Sequence, residues 1–260
     1  MATGTQGTKP TRGRGRPPRA RSAEPAGGTD EAVREARGAR RRRETRARLL
    51  NAALKLMADR GMDAVAINEI TEAADVGFGS FYNHFESKEA IHRALTDLVF
   101  EEFANALDRA LAGVTDPAEI IAASVRHTLY RGRRDRTWAL FLLRESLSSR
   151  MLTRGLGARL LRDIEKGIAA GRFNVDDALM AFMGLAGSVL AALSIEVQYG
   201  EGADSALPSE LRRAVGLPSP ELPERAATTM LRFLGVPPAE ARRVARRPLA
   251  ELETPPSPGE

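Results

Sequence analysis

Large apolar side chains in this 260-residue chain return every three or four positions, and no stretch alternates apolar with polar. A three-to-four spacing lays apolar groups along one helix face, whereas a half-buried strand needs a period of two. The fold class this dictates is all-α. The punctuation agrees. Leu49, Leu50, Ala53, Leu54, Leu56 and Met57 run up to Gly61, a left-handed stop, and Asp116-Pro117 supplies an N-cap followed by a first-turn proline. Helices are expected from Glu44 to the Gly61 stop, then over 67–74, 78–85, from a Ser87 N-cap to about 112, from 117, over 138–147, over 152–170 with a Gly171 stop, and over 176–199, 222–234 and 238–245. The Pro/Gly/Ser-rich stretch 201–220 reads as a loop. Apolar residues make up 43% of the chain, enough to bury a core.

Charge is unevenly spread. Residues 1–48 carry 14 Lys and Arg against 5 Asp and Glu, while the remainder carries 25 against 29. A dense basic arm on a mildly acidic body suits a polyanion, nucleic acid first and an anionic membrane surface second. The organisation expected is a disordered basic arm over 1–41, a small helical unit over 42–102, a larger helical bundle over 103–250 and a disordered tail over 251–260. No cysteine is present, which excludes thiolate chemistry, and the three histidines are His84, His92 and His127. His92 and His127 read as solvated or satisfied side chains. Glu69, Glu72 and Asp75 read as solvated surface, and no Gly-rich phosphate loop occurs. The chain is therefore expected not to be an enzyme and to need no cofactor or metal. No apolar signal segment opens it, so the cytoplasm is the expected compartment.

Residues 178–195 carry no charge over 18 positions, the lower edge of a membrane-span length. Asp176, Asp177 and Glu196 flank them without a basic or aromatic belt, and Gly184, Ser188 and Ala192 repeat at four-residue spacing. A buried or subunit-interface helix is the reading, with no membrane partner.

Between Ile67 and Phe85 two short helical pieces meet at Asp75, Val76 and Gly77. Ile70, Ala74 and Val76 offer one apolar face, and Phe81 and Phe85 the other. Such a pair is a helix-turn-helix (near 65–85), whose second helix fits a DNA major groove about 12 Å wide.

In Thr45 to Leu54, in Asp59-Arg60-Gly61, and above all in the run Phe81, Tyr82, Asn83, His84, Phe85, Glu86, Ser87, Lys88, Glu89 and Ala90, the sequence resembles the DNA-binding domain of the TetR family of transcriptional regulators. The likeness spans about 45–92 without a gap. It implies that Phe78, Gly79, Ser80 and Asn83 face the bases and that Tyr82, His84 and Lys88 hold phosphates. Arg37, Arg40, Arg41, Arg42 and Arg43 adjoin the first helix, and their charge makes them phosphate contacts too, with Arg46 a further DNA-binding candidate. Phe78 has two readings, contact with a thymine methyl or packing on the first helix. Two departures stand out. Asp75 sits where the family usually has glycine, tolerable because aspartate visits positive φ. Val65-Ala66 replaces the usual hydroxyl cap, and Asn68 could cap a shorter helix instead.

The resemblance also implies an operator of double-stranded DNA, a homodimer on a palindrome, and a small-molecule effector, most simply in a repressor released by that effector. An architectural DNA-binding protein without an effector is the alternative. Phe103, Tyr130, Trp138, Phe141, Arg144 and Met183 are the candidate effector contacts. The stripe in 178–195, together with the helix around Thr228–Leu234, is the candidate dimer face. Arg14 and Arg16, in an Arg-Gly-Arg-Pro run, resemble an AT-hook core that could enter a minor groove, or serve only as charge.

Overall fold

The computed structural model describes residues 28–146, 154–199, 208–217 and 219–253, and among these it holds helices and no strand. The chain divides into two compact units, Met1–Arg42 and Arg43–Glu260.

Helix α1 covers Gly28–Arg60, so it begins well before the expected start at Glu44. The described part of the expected disordered arm, 28–41, is thus helical. Glu31, Ala32, Arg34, Glu35, Ala36 and Arg37 are strong helix formers, and the run continues into the apolar helix without a proline. Arg14 and Arg16 lie outside the described residues.

Helices α2 (Ile67–Ala73), α3 (Phe78–Tyr82) and α4 (Lys88–Thr96) follow. Leu49, Ala53 and Met57 of α1 meet Ile70, Phe81, Ile91 and Leu95 in one fully buried apolar cluster. The turn after α2 explains Asp75. Its N–H donates to Glu72 O (3.1 Å), Val76 N–H donates to Thr71 O (3.0 Å), and Asp75 takes φ +53°. That paired closure needs a left-handed residue, a position glycine usually fills. Arg48 holds the aspartate there, donating to its carbonyl at 3.2 Å. The missing hydroxyl cap is met differently from the Asn68 expectation. α2 starts at Ile67, and Glu69 reaches back to accept from Ala66 N–H at 2.8 Å. That bond, followed by Arg60 at 2.8 Å, holds the Glu69 carboxyl below its ordinary pKa.

Ser87 caps α4, accepting from Ala90 N–H. The expected single helix to 112 is interrupted by a π-helical turn, Asp97–Glu101, before α5 (Glu102–Ala110). Asp116 caps α6 (Pro117–Arg134) as its sequence requires, accepting from Ala118 N–H at 3.0 Å. Helices α7 (Arg136–Glu145), α8 (Gly155–Ala169), α9 (Ala178–Tyr199), α11 (Leu222–Phe233) and α12 (Pro238–Val244) match the expected elements within a few residues. The expected 201–220 loop contains α10 (Ser209–Val215), a seven-residue helix closed by Gly216 at φ +71°. Helix α6 is the central member, packed against α7, α8, α9, α11 and α12.

Candidate nucleic-acid interface and effector cavity

On α3, the buried Phe81 anchors two exposed rings. Phe78 is 54% and Tyr82 52% exposed, and their rings meet edge to face at 5.7 Å, with Tyr82 edge-on to Phe81 at 5.4 Å. Phe78 is therefore a largely exposed ring rather than a member of the buried core. A side chain added at Gly79 would touch nothing within 4 Å, so no internal packing demands glycine there. Ser80 is half-buried, Asn83 is the exposed C-cap of α3, and His84 is half-buried with its N–H bonded to Phe81 O. Lys88, at the first turn of α4, reaches Asp63 O at 3.4 Å. Arg43 and Arg46 are exposed on α1, the latter 5.0 Å over the Phe85 ring; Arg42, also exposed, closes the first unit. Arg43, Arg46, Phe78, Gly79, Ser80, Tyr82 and Asn83 thus present aromatic, small and cationic groups above a packed base.

Beyond this unit, a cavity of about 350 Å³ opens between the π turn and α5 to α9. Its apolar wall includes Leu107, Ile121, Val125, Leu142, Leu160 and Val189. One side carries a charged cluster. Arg159 Nε donates to Asp108 Oδ2 at 2.7 Å and its Nη1 to Glu101 Oε2 at 3.1 Å. Arg162 donates to Asp108 Oδ1 and to Asp163 Oδ1, both at 2.8 Å. Burial pushes the Asp108 carboxyl up, but Arg162 and Arg159 outweigh it and hold its pKa below the ordinary value. The hydrogen bonds that Arg162 donates to Asp163 and Asp108 raise its own pKa. The cluster thus fixes charge-assisted donors and acceptors at the wall of an apolar space.

The expected effector contacts lie elsewhere. Phe103, Trp138 and Phe141 are buried core, with Phe103 and Trp138 stacked edge to face at 5.0 Å. Tyr130 donates to Glu224 at 2.7 Å, and Arg144 to Ala58 O and Asp59 O at the end of α1. Met183 is 55% exposed on α9. Asp108, Arg159, Arg162 and Asp163 were missed because their pairing joins α5 to α8 across more than 50 residues of sequence. The one local signal was Arg159, Arg162 and Asp163 on a shared helix face.

The expected dimer stripe is also re-sorted. Ala192 is buried, and the Phe233 ring covers Gly184, where an added Cβ would stand 2.9 Å from it. Met180, Met183, Gly187 and Ala191 form the exposed row instead, with Phe233 of α11 beside it at 56% exposure. Helix α9 is long and apolar enough to cross a membrane, yet it packs on α6, α7, α8 and α11. His127, expected to be solvated or satisfied, is buried with Nε2 lacking a hydrogen-bond partner.

These features define a helix-turn-helix protein with a ligand-sized cavity in its second helical part. A family profile described as "Bacterial regulatory proteins, tetR family" matches residues 49–95, and one described as "Tetracyclin repressor-like, C-terminal domain" matches residues 116–247. The chain belongs to the TetR family. It is similar to RolR, crystallised with resorcinol, at 37% identity and a TM-score of 0.57, covering 82% of this chain and 99% of that one. It is 37% identical over 79 residues to the transcriptional repressor DhaR of Mycobacterium sp. (strain GP1), covering 30% of this chain and 38% of DhaR. It is 32% identical over 94 residues to the transcriptional regulator TcmR of Streptomyces glaucescens, covering 36% of this chain and 41% of TcmR. The matched stretch therefore spans less than half of either curated relative.

Proposed function

We propose that the chain is a sequence-specific DNA-binding repressor of the cytoplasm, acting as a homodimer on a palindromic operator and released by a small hydroxylated aromatic effector. The observation that carries this reading is one chain holding both an exposed aromatic face on α3 and a separate cavity with a fixed Asp108–Arg159–Arg162 cluster. Phe78, Gly79, Ser80 and Asn83 read base edges, while Tyr82, His84, Lys88, Arg42, Arg43 and Arg46 hold phosphates. The effector's ring rests on Leu142 and Val125, and its hydroxyls exchange hydrogen bonds with the charged cluster; the resorcinol complex of RolR supports the chemical class of the effector. Two copies related by a dyad pair through the exposed row of α9 and Phe233 of α11, which sets the spacing of the two α3 helices.

The effector acts through its differential affinity for the two spacings. Fluorescence anisotropy with the DNA upstream of the gene tests the reading, with resorcinol as the probe. Tight, palindrome-dependent binding that resorcinol weakens, and that Asp108→Asn makes insensitive to resorcinol, is expected. Sequence-independent binding would favour the architectural alternative, and a full resorcinol response in Asp108→Asn would remove the cluster from the effector site.

A further inference from the structure

Helices α2 and α3 are seven and five residues long, too short to hold their own shape or direction. Their buried anchors are few. Within α2 these are Ile70 and Thr71, and within α3 Phe81 alone, so the angle of α3 depends on the polar bonds at the helix ends and in the turn between them. Helix α1 reaches both ends of α2. At the front, Arg60 donates at 2.8 Å to Glu69, the carboxylate that accepts from Ala66 N–H. At the back, Arg48 Nη1 donates to Asp75 O at 3.2 Å and stands 3.8 Å from Asp75 Oδ2.

The contact at the back falls on a strained residue. Among the described residues Asp75 is the one non-glycine at positive φ, and a Cβ-bearing residue stays there only where its surroundings hold it. Its side chain is fully exposed, so packing does not hold it. The two bonds of the turn, from Asp75 N–H to Glu72 O and from Val76 N–H to Thr71 O, engage amides and leave the Asp75 carbonyl to Arg48. An exposed ion pair contributes little by itself. What the guanidinium fixes is the direction of that carbonyl. Two residues further on, Gly77 is the N-cap of α3, and its carbonyl accepts from Ser80 N–H at 2.8 Å. A rotation of the peptide between Asp75 and Val76 is therefore passed to the start of α3 through one residue.

We infer, on the reading that α3 enters the operator, that Arg48 is a positioning residue for DNA recognition: through the Asp75 carbonyl it keeps the turn left-handed and sets the angle at which α3 meets the bases. Glycine at position 75 adopts the same φ without a partner, so the need for Arg48 is tied to the aspartate. The two residues form one device, in which an arginine of α1 replaces the freedom that a glycine turn has by itself.

The test is a double-mutant cycle on the full chain: parent, Arg48→Met, Asp75→Gly and the two changes combined. Methionine keeps much of the apolar stem and removes the donors. Backbone hydrogen exchange over α2, the turn and α3 is followed without DNA, and anisotropy is measured on palindromic and scrambled duplexes from about 50 to about 200 mM salt. Arg48→Met should speed exchange in the turn and α3 and weaken palindrome binding about tenfold, with the melting temperature and the salt slope unchanged. In the Asp75→Gly background the same change should alter either quantity less than about threefold. Unchanged exchange in Arg48→Met, or faster exchange with palindrome affinity intact, would overturn the inference. So would a loss of affinity that Asp75→Gly leaves in place while the salt slope falls by about one, since Arg48 would then grip a phosphate directly. A parent protein that bound both duplexes alike would instead overturn the operator reading, a distinguishable failure because the exchange result, obtained without DNA, still shows whether Arg48 holds the turn.

Discussion

His92 Nε2, on α4, lies 3.1 Å from Glu145 Oε2, on α7, and Glu145 also lines the cavity of about 350 Å³. The preceding residue, Arg144, donates to Ala58 O at 3.3 Å and Asp59 O at 2.6 Å, a cation at the negative end of α1. Two consecutive residues of α7 thus meet two helices of the DNA-binding unit, Arg144 by hydrogen bonds to α1 and Glu145 by its approach to His92 of α4, and Glu145 faces the cavity. Coupling free energies between sites commonly correspond to about 5- to 150-fold in affinity. Glu145→Gln keeps the shape and removes the charge. It should change operator affinity less than about threefold without effector, yet shrink the effector-driven loss of binding about tenfold, on that scale of coupling. Anisotropy titrations with and without resorcinol check this, and an unaltered effector response would remove Glu145 from the route.

Gly79 separates folding from binding. Its site is open, and its φ is not in the left-handed region, so alanine fits there without strain. Glycine inside a helix costs about 0.5–1 kcal/mol relative to alanine. Gly79→Ala should leave the melting temperature unchanged or slightly raised. If α3 meets the bases closely at this position, the same change should lower operator affinity tenfold or more. Melting curves and anisotropy on the same preparation decide it; unchanged affinity would place Gly79 away from the DNA.

The cap of α6 carries a pH signature. Burial raises the Asp116 carboxyl, but Arg172, the Ala118 N–H and Arg247 more than offset this and bring its pKa below the ordinary 3.8. A carboxyl depressed in the folded state stabilises fully above its unfolded value, and that contribution fades as pH falls through the folded value. Asp116→Ala should therefore cost about 1–2 kcal/mol at pH 7, the range for a lost N-cap. The gap between parent and variant should narrow below about pH 4, as the linkage requires. Urea unfolding at pH 7 and pH 3 measures both; an equal gap at the two pH values would show that the carboxylate charge contributes nothing.

What was legible in the sequence follows what is local. Caps at Ser87 and Asp116, the Gly61 and Gly171 stops, and the positive φ of Asp75 depend on neighbours a few residues away, and each could be read. The helix-turn-helix was legible because its core residues and its exposed rings fall within 20 positions. The effector cavity was not, because aromatic bulk is a poor guide to which residues border a void. Phe103, Trp138 and Phe141 are spent on the buried core and do not border the cavity beside the charged cluster. The π turn at 97–101 was equally hidden, since its heptad-like apolar pattern is that of an ordinary helix. Its place is fixed by α8, where Gly155 N–H donates to Glu101 at 2.8 Å and Arg154 meets Asp97 at 3.3 Å.

The re-sorted face of α9 changes which substitution tests the dimer. Arginine at Gly184 would collide with the Phe233 ring within its own chain, so a monomer obtained that way could reflect misfolding. Ala191 is exposed, and a side chain there meets solvent in the free chain. Within a paired interface it would bury a guanidinium against Met183 and Phe233 of a second copy, and an unpaired buried charge costs several kcal/mol. Ala191→Arg should therefore leave the helical circular dichroism and melting of the chain largely intact while shifting the sedimentation coefficient from dimer to monomer. Operator affinity should fall at least 100-fold as the second half-site contact is lost, whereas Ala191→Ser should stay dimeric. A dimer that persists in Ala191→Arg would move the interface off this row.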